Sequence, residues 1–96
     1  MPLVSIKTET EVPQGWRYLV DIDHDDGSRS THRLRLAWVD HNFWAGERPI
    51  PPSRVAEAVL QYLLAARPDD TLPDRFDAAM ARRWAPAIDR ELPSRL

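Results

Sequence analysis

"WRYLVDIDHDDGSRSTHRLRLAW", residues 16–38, decides the fold. Trp16, Tyr18, Val20 and Ile22 recur at every second position, and so do His32, Leu34, Leu36 and Trp38. Period two places each set on one face of a strand. Between them lies a run of Asp, Ser and Gly, the composition of a hairpin turn.

Parity then limits the turn. Both apolar rows must face the same side of the sheet, and all eight residues carry even numbers. A two-residue turn on Asp26-Gly27 would set Asp25 against Ser28 and so pair every even residue with an odd one. That slip turns one row to solvent. The loop is therefore expected to have three or five residues, with Gly27 at positive φ. The expected pairs are Val20 with Leu34, Tyr18 with Leu36 and Trp16 with Trp38. Asp21 then lies opposite Arg33, an ordinary cross-strand ion pair.

The same parity bears on the acidic cluster. Asp21, Asp23 and Asp25 match the first, third and fifth positions of a calcium-binding loop. The sixth position is Asp26 instead of Gly, and the twelfth is His32 instead of Glu. Asp21 and Asp23 also point to one face, with His24 and His32 on the other. The stretch reads as an acidic turn, with no metal. His32 sits on the core face, so a buried hydrogen bond from Ser30 or a helix terminus is expected.

Residues 3–12 alternate weakly and end at Pro13-Gln14-Gly15, as an edge strand or a loose arm would. Beyond residue 38 the pattern is helical. "VDHNFWAG" predicts one short turn, with Asp40 as its cap and Gly46 as a left-handed terminator. Val55, Val59, Tyr62, Leu63 and Ala66 fall at helical spacing, predicting a helix over about 53–66 that stops before Pro68. "DDTLP", residues 69–73, reads as a loop. Phe76, Met80 and Trp84 predict a second main helix over about 74–85.

The fold expected is α+β: one domain over 1–96, with a two- or three-stranded antiparallel sheet covered on one face by two main helices. The expected core is Trp16, Tyr18, Val20, Ile22, Leu34, Leu36, Val55, Val59, Leu63, Phe76, Met80 and Trp84.

Composition narrows function. The 96 residues carry a net charge of −2, which gives no global attraction to nucleic acid or to an anionic membrane. There is no cysteine, so disulfides and thiolate chemistry are excluded. No apolar run approaches a membrane span and no leader pattern opens the chain, so a cytoplasmic protein is expected. No nucleophile elbow, zinc-protease motif or phosphate loop is present. Asp40 and His41 are adjacent, which seldom aligns two groups for proton transfer. No catalytic residue, cofactor or metal is expected.

Two surfaces remain. Trp38, Phe43 and Trp44 crowd one short segment, and such aromatics make binding hot spots. They favour a small non-catalytic protein-interaction module, acting on another protein or on itself. The alternative is a nucleic-acid-binding domain that uses an exposed strip of Arg17, Arg33 and Arg35, extended by Arg82, Arg83 and Arg90 from the last helix.

Finally, "YLV", "STHRLRL", "YLLAARP", "RFD" and "RRWAP" resemble, in order and spacing, a family of short uncharacterised bacterial proteins. Those have a Y-x-V strand, an S-x-H-x-V-x-L strand, a helix ending F-L-L-x-R-x-P, and a closing segment like R-F-D-L-x-x-I-x-R-Y-F-P. The matching positions are Tyr18 and Val20; Ser30, His32, Leu34 and Leu36; Leu63, Leu64, Arg67 and Pro68; Arg75, Phe76 and Asp77; and Arg83, Trp84 and Pro86. The resemblance spans about residues 16–88 and departs around "FWAGERPIPP" and after Pro86. It implies a free-standing bacterial domain with a sheet followed by helices. It implies no activity and no site residue.

Overall fold

The computed structural model describes residues 2–68 and 71–96, so Asp69 and Asp70 of the expected loop lie outside the described residues. The strands are β1 (Leu3–Val12), β2 (Gly15–Asp23), β3 (Arg29–Ala37) and β4 (Arg75–Asp77). The helices are α1 (Trp38–Ala45), α2 (Pro52–Ala66), α3 (Ala81–Trp84) and α4 (Ile88–Glu91). Short 3-10 turns at Ala78–Met80 and Leu92–Arg95 complete the order. The class is α+β. Among the described residues the sheet has four strands in the order β1-β2-β3-β4, one more than the largest number expected.

The central hairpin obeys the parity argument. His24 N–H donates to Ser28 O at 2.8 Å and Gly27 N–H to His24 O at 3.0 Å, closing a three-residue loop of Asp25, Asp26 and Gly27. Gly27 has φ +88°. The register nevertheless differs from the one expected by two residues: Val20 pairs with His32, Tyr18 with Leu34 and Trp16 with Leu36. The reason is the position of the glycine. In this loop type the left-handed residue comes last, after the turn, and not at the centre. The hairpin is therefore centred on Asp26. Asp21 faces Thr31 instead of Arg33 and accepts its hydroxyl at 2.8 Å. Trp16 and Trp38 do not pair, because the same shift sets Trp16 against Leu36, and β3 ends at Ala37.

β1 joins as an edge strand through a tight turn with Pro13 first and Gln14 at φ 64°. Proline followed by positive φ is the type II pattern. Gly15 is needed for a different reason. A Cβ there would collide with the main-chain oxygen of Leu36 and lie 2.9 Å from the Cα of Ala37.

The even residues of β2 and β3 face the helices. Tyr18, Val20, Ile22, Leu34 and Leu36 are fully buried, and α2 adds Val55, Ala56, Val59, Leu60 and Leu63. α2 begins with Pro52, whose missing N–H costs nothing at a first helical position. It ends at Ala66, with Arg67 as cap before Pro68. Trp16, Met80 and Trp84, expected in the core, are only partly buried.

The predicted second helix over 74–85 is the main correction. Arg75–Asp77 is instead a strand parallel to β3, followed by the 3-10 turn and the four-residue α3. Without this segment the outer edge of β3 would lack backbone partners, and backbone groups need them. Arg33 N–H donates to Asp74 O at 2.7 Å, and Phe76 is buried beside Leu34. Phe76 still meets Trp84 edge-on, with centroids 5.3 Å apart. The helical spacing of the aromatics thus serves a packing contact across a chain reversal, not one continuous helix.

Candidate functional site

α1 carries the aromatic cluster. Its first N–H, from Trp38, donates to Gln14 O at 2.8 Å, while its cap residue Ala37 offers no side-chain bond. Asp40 is therefore not the cap. It lies within the first turn, is buried, and accepts Nη1–H of Arg82 at 2.7 Å. Gly46 ends the helix at φ 64°, with its N–H on Asn42 O.

The cluster divides. Trp44, expected at a partner surface, is fully buried, and its Nε1–H donates to Asp89 at 2.9 Å. Arg82 completes the arrangement. Its Nε–H reaches both oxygens of Asp89, at 2.8 and 2.9 Å, and its guanidinium lies 4.7 Å from the Trp44 ring centre. Desolvation opposes the charge on Arg82, but the hydrogen bonds it donates to Asp40 and Asp89 outweigh it and hold the group above its ordinary pKa. One guanidinium thus ties α1, α3 and α4 together. Its inward hydrogen bonds remove Arg82 from the expected nucleic-acid contacts.

Three other residues of α1 turn outward. Trp38 is 48%, Val39 72% and Phe43 58% exposed. Helical spacing puts them, with Asn42 between, on one arc of about 140°. Leu3 is the only other large apolar side chain exposed among the described residues. Val39 was missed by the sequence reading, although its spacing of four from Phe43 was the available signal.

The uncovered face of the sheet carries the arginines. Arg17 lies directly opposite Arg35, and Leu19 opposite Arg33. β4 brings Arg75 beside Arg33 and Asp77 beside Arg35. Arg17, Arg33 and Arg75 are exposed, and Arg35 is half-buried with a 3.2 Å hydrogen bond to Pro13 O. Arg75 could not be found while its segment was read as a helix. Arg83 is exposed on α3 and Arg90 on α4, both in the helix layer, so neither continues this strip. At the turn end the charges are matched: Asp23 holds Arg29 at 2.7 Å, and Asp21 lies 3.9 Å from Lys7. The Arg29 hydrogen bond holds the Asp23 carboxyl below the usual range.

The expected bond to His32 is present. His32 is 2% exposed, and its Nε2 lies 2.7 Å from Ser30 Oγ. Nδ1 lies 2.7 Å from Pro73 O, which can only accept, so Nδ1 carries the proton and Nε2 accepts the Ser30 hydroxyl. The Ser30 oxygen then accepts Nε2–H of His24, also at 2.7 Å. A serine held by an oriented histidine is two-thirds of a nucleophile arrangement. Here the network ties the hairpin to the segment before β4. It borders an open cleft of about 1200 Å³ beside α2. Among the described residues no three metal-ligating side chains converge, and no helix is long and apolar enough to cross a membrane.

Comparison with known proteins finds no matching family model, no matching curated protein and no matching solved structure.

Proposed function

We propose that the chain is a small non-catalytic interaction module that docks another protein, or a second copy of itself, on the outer face of α1. The observation that carries this reading is the outward array of Trp38, Val39 and Phe43 beside an interior in which Trp44 is sealed. Solvent-facing apolar groups gathered on one helix are costly unless a partner covers them, and aromatics at such a site supply most of the binding energy. The reading needs no cofactor and takes the compartment to be the cytoplasm. The resemblance to short bacterial proteins supports a bacterial source.

The test compares the wild type with a Val39→Asp/Phe43→Ser variant. Neither side chain is buried, but the Phe43 ring lies 5.4 Å from the Arg82 guanidinium, so stability should fall only by the roughly 0.5–1 kcal/mol of an exposed cation–π contact. Sedimentation over a wide concentration range reads self-association. Capture from a bacterial lysate reads other partners. A complex formed by the wild type and lost in the variant supports the reading. A wild type that stays monomeric and retains the same proteins as the variant overturns it.

A further inference from the structure

From the arginine pattern on the uncovered sheet face we infer a second surface, which holds the phosphate backbone of nucleic acid without reading its bases. Two neighbouring rows build it. One runs Thr10, Arg17, Arg35, Asp77 across the four strands, and the other runs Thr8, Leu19, Arg33, Arg75. Adjacent strands lie about 4.8 Å apart and the rows about 7 Å apart. Four guanidinium groups therefore share a patch roughly 12 Å across, with a single carboxylate, Asp77, in the same rows.

The charge arrangement points to an external anion. Like charges placed directly opposite in a sheet are destabilising. Arg17 and Arg35 are so placed, and Arg33 and Arg75 are neighbours in the parallel pair. Among the described residues Arg17, Arg33 and Arg75 form no ion pair and no side-chain hydrogen bond. The carboxylates of the same face relieve them little, because Asp21 and Asp23 are already matched with Lys7, Thr31 and Arg29, which leaves Asp77 alone against four guanidinium groups. The chain as a whole is acidic, so this is a local concentration of charge against the overall sign.

Phosphates suit this patch, and the carboxylates of an acidic protein are the competing occupant that the test must separate. Arginine forks bind phosphate with two parallel hydrogen bonds, and the Thr8 and Thr10 hydroxyls along the same rows are ordinary phosphate donors. The absence of base reading follows from composition. The two rows hold no aromatic ring on which a base could stack, and their one apolar residue is Leu19.

The test measures binding of the full chain to fluorescent oligo-dT and to a mixed-sequence duplex across a salt series. Binding at low salt is expected with little sequence preference. The slope of log affinity against log salt should be about −2 to −3 for the single strand and about −3 to −4 for the duplex, for three or four phosphates. Arg17→Ser and Arg33→Ser should each lower that slope by about 0.7–0.9 without lowering the urea midpoint, since each removes a like-charge neighbour. Arg83→Ser, in the helix layer, should leave it unchanged. No binding at low salt overturns the inference. So does equal binding to polyglutamate, which would assign the face to an acidic protein instead. Equal loss from Arg83→Ser and Arg33→Ser would mean diffuse charge and would also overturn it.

Discussion

Arg82 gives the sharpest test of how the helix layer is held. Arg82→Met keeps most of the aliphatic stem but removes three charge-assisted hydrogen bonds, one to Asp40 and two to Asp89. It strands Asp40, whose side chain is only 10% exposed. Breaking a fully buried pair costs about 3–5 kcal/mol, because the surviving charge is left without a partner. Arg82 is itself 30% exposed, so water can partly replace it, and the cost should fall to about 2–3 kcal/mol. In a domain of this size each kcal/mol moves the melting temperature by about 4–8 °C, so a drop of roughly 10 °C or more is expected. Urea denaturation followed by far-UV circular dichroism measures the loss, and an unchanged m-value shows that stability alone has moved. A cycle with Asp40→Asn isolates the pair. The double variant should be more stable than the sum of the singles predicts, by about 1 kcal/mol or more. A cost below about 0.5 kcal/mol for Arg82→Met, or a cycle additive within about 0.3–0.5 kcal/mol, would refute the account of Arg82 as the tie between α1, α3 and α4.

Two further predictions concern the strands. Gly15→Ala should cost about 3 kcal/mol or more, because its Cβ meets main-chain atoms of Leu36 and Ala37 that cannot shift without breaking the register. Gly27→Ala should cost only about 1–2 kcal/mol, since its surroundings are open and the penalty is conformational; urea midpoints in the reverse order would contradict this. Burial, reinforced by the hydrogen bond to Glu9, pushes the Tyr18 hydroxyl above its ordinary pKa. A raised folded-state pKa gives stability that is complete below the unfolded value of about 10 and is lost as pH rises beyond it. Stability measured from pH 8 to 11 should therefore fall less steeply in Tyr18→Phe than in the wild type, and equal slopes would exclude Tyr18 as the source.

The legible parts of this fold are those with a local rule behind them. The strand pair declared itself by its period, and the odd loop by parity. α2 was bounded by its apolar stripe and by Pro68. The bond between Ser30 and His32 followed from a histidine placed on a core face. What escaped has a different physics. Whether Gly27 sits last or central in its loop shifts the register by two without touching parity, so the apolar pattern cannot report it. β4 is three residues long, too short for any period, and it is specified by the unmet edge of β3 some forty residues earlier. Asp40 stands where a cap would stand, yet its partner Arg82 lies on another element. For the same reason Trp44 and Phe43, neighbours in sequence, could not be sorted into inner and outer. Arg75 depended on recognising β4 first.

The bulge in β1, where the register shifts between Ile6 and Thr8, also governs behaviour in concentrated solution. Before it, Val4 and Ile6 face the helices; after it, Glu9 and Glu11 stand on that side, opposite Tyr18 and Trp16. The sheet's longer border is thus bent out of register and studded with carboxylates, two features that discourage a neighbouring molecule from adding a strand. The opposite border is only the three residues of β4. Neither border offers a long, flat template for fibril growth, so the chain should withstand crowding and long storage without polymerising edge to edge.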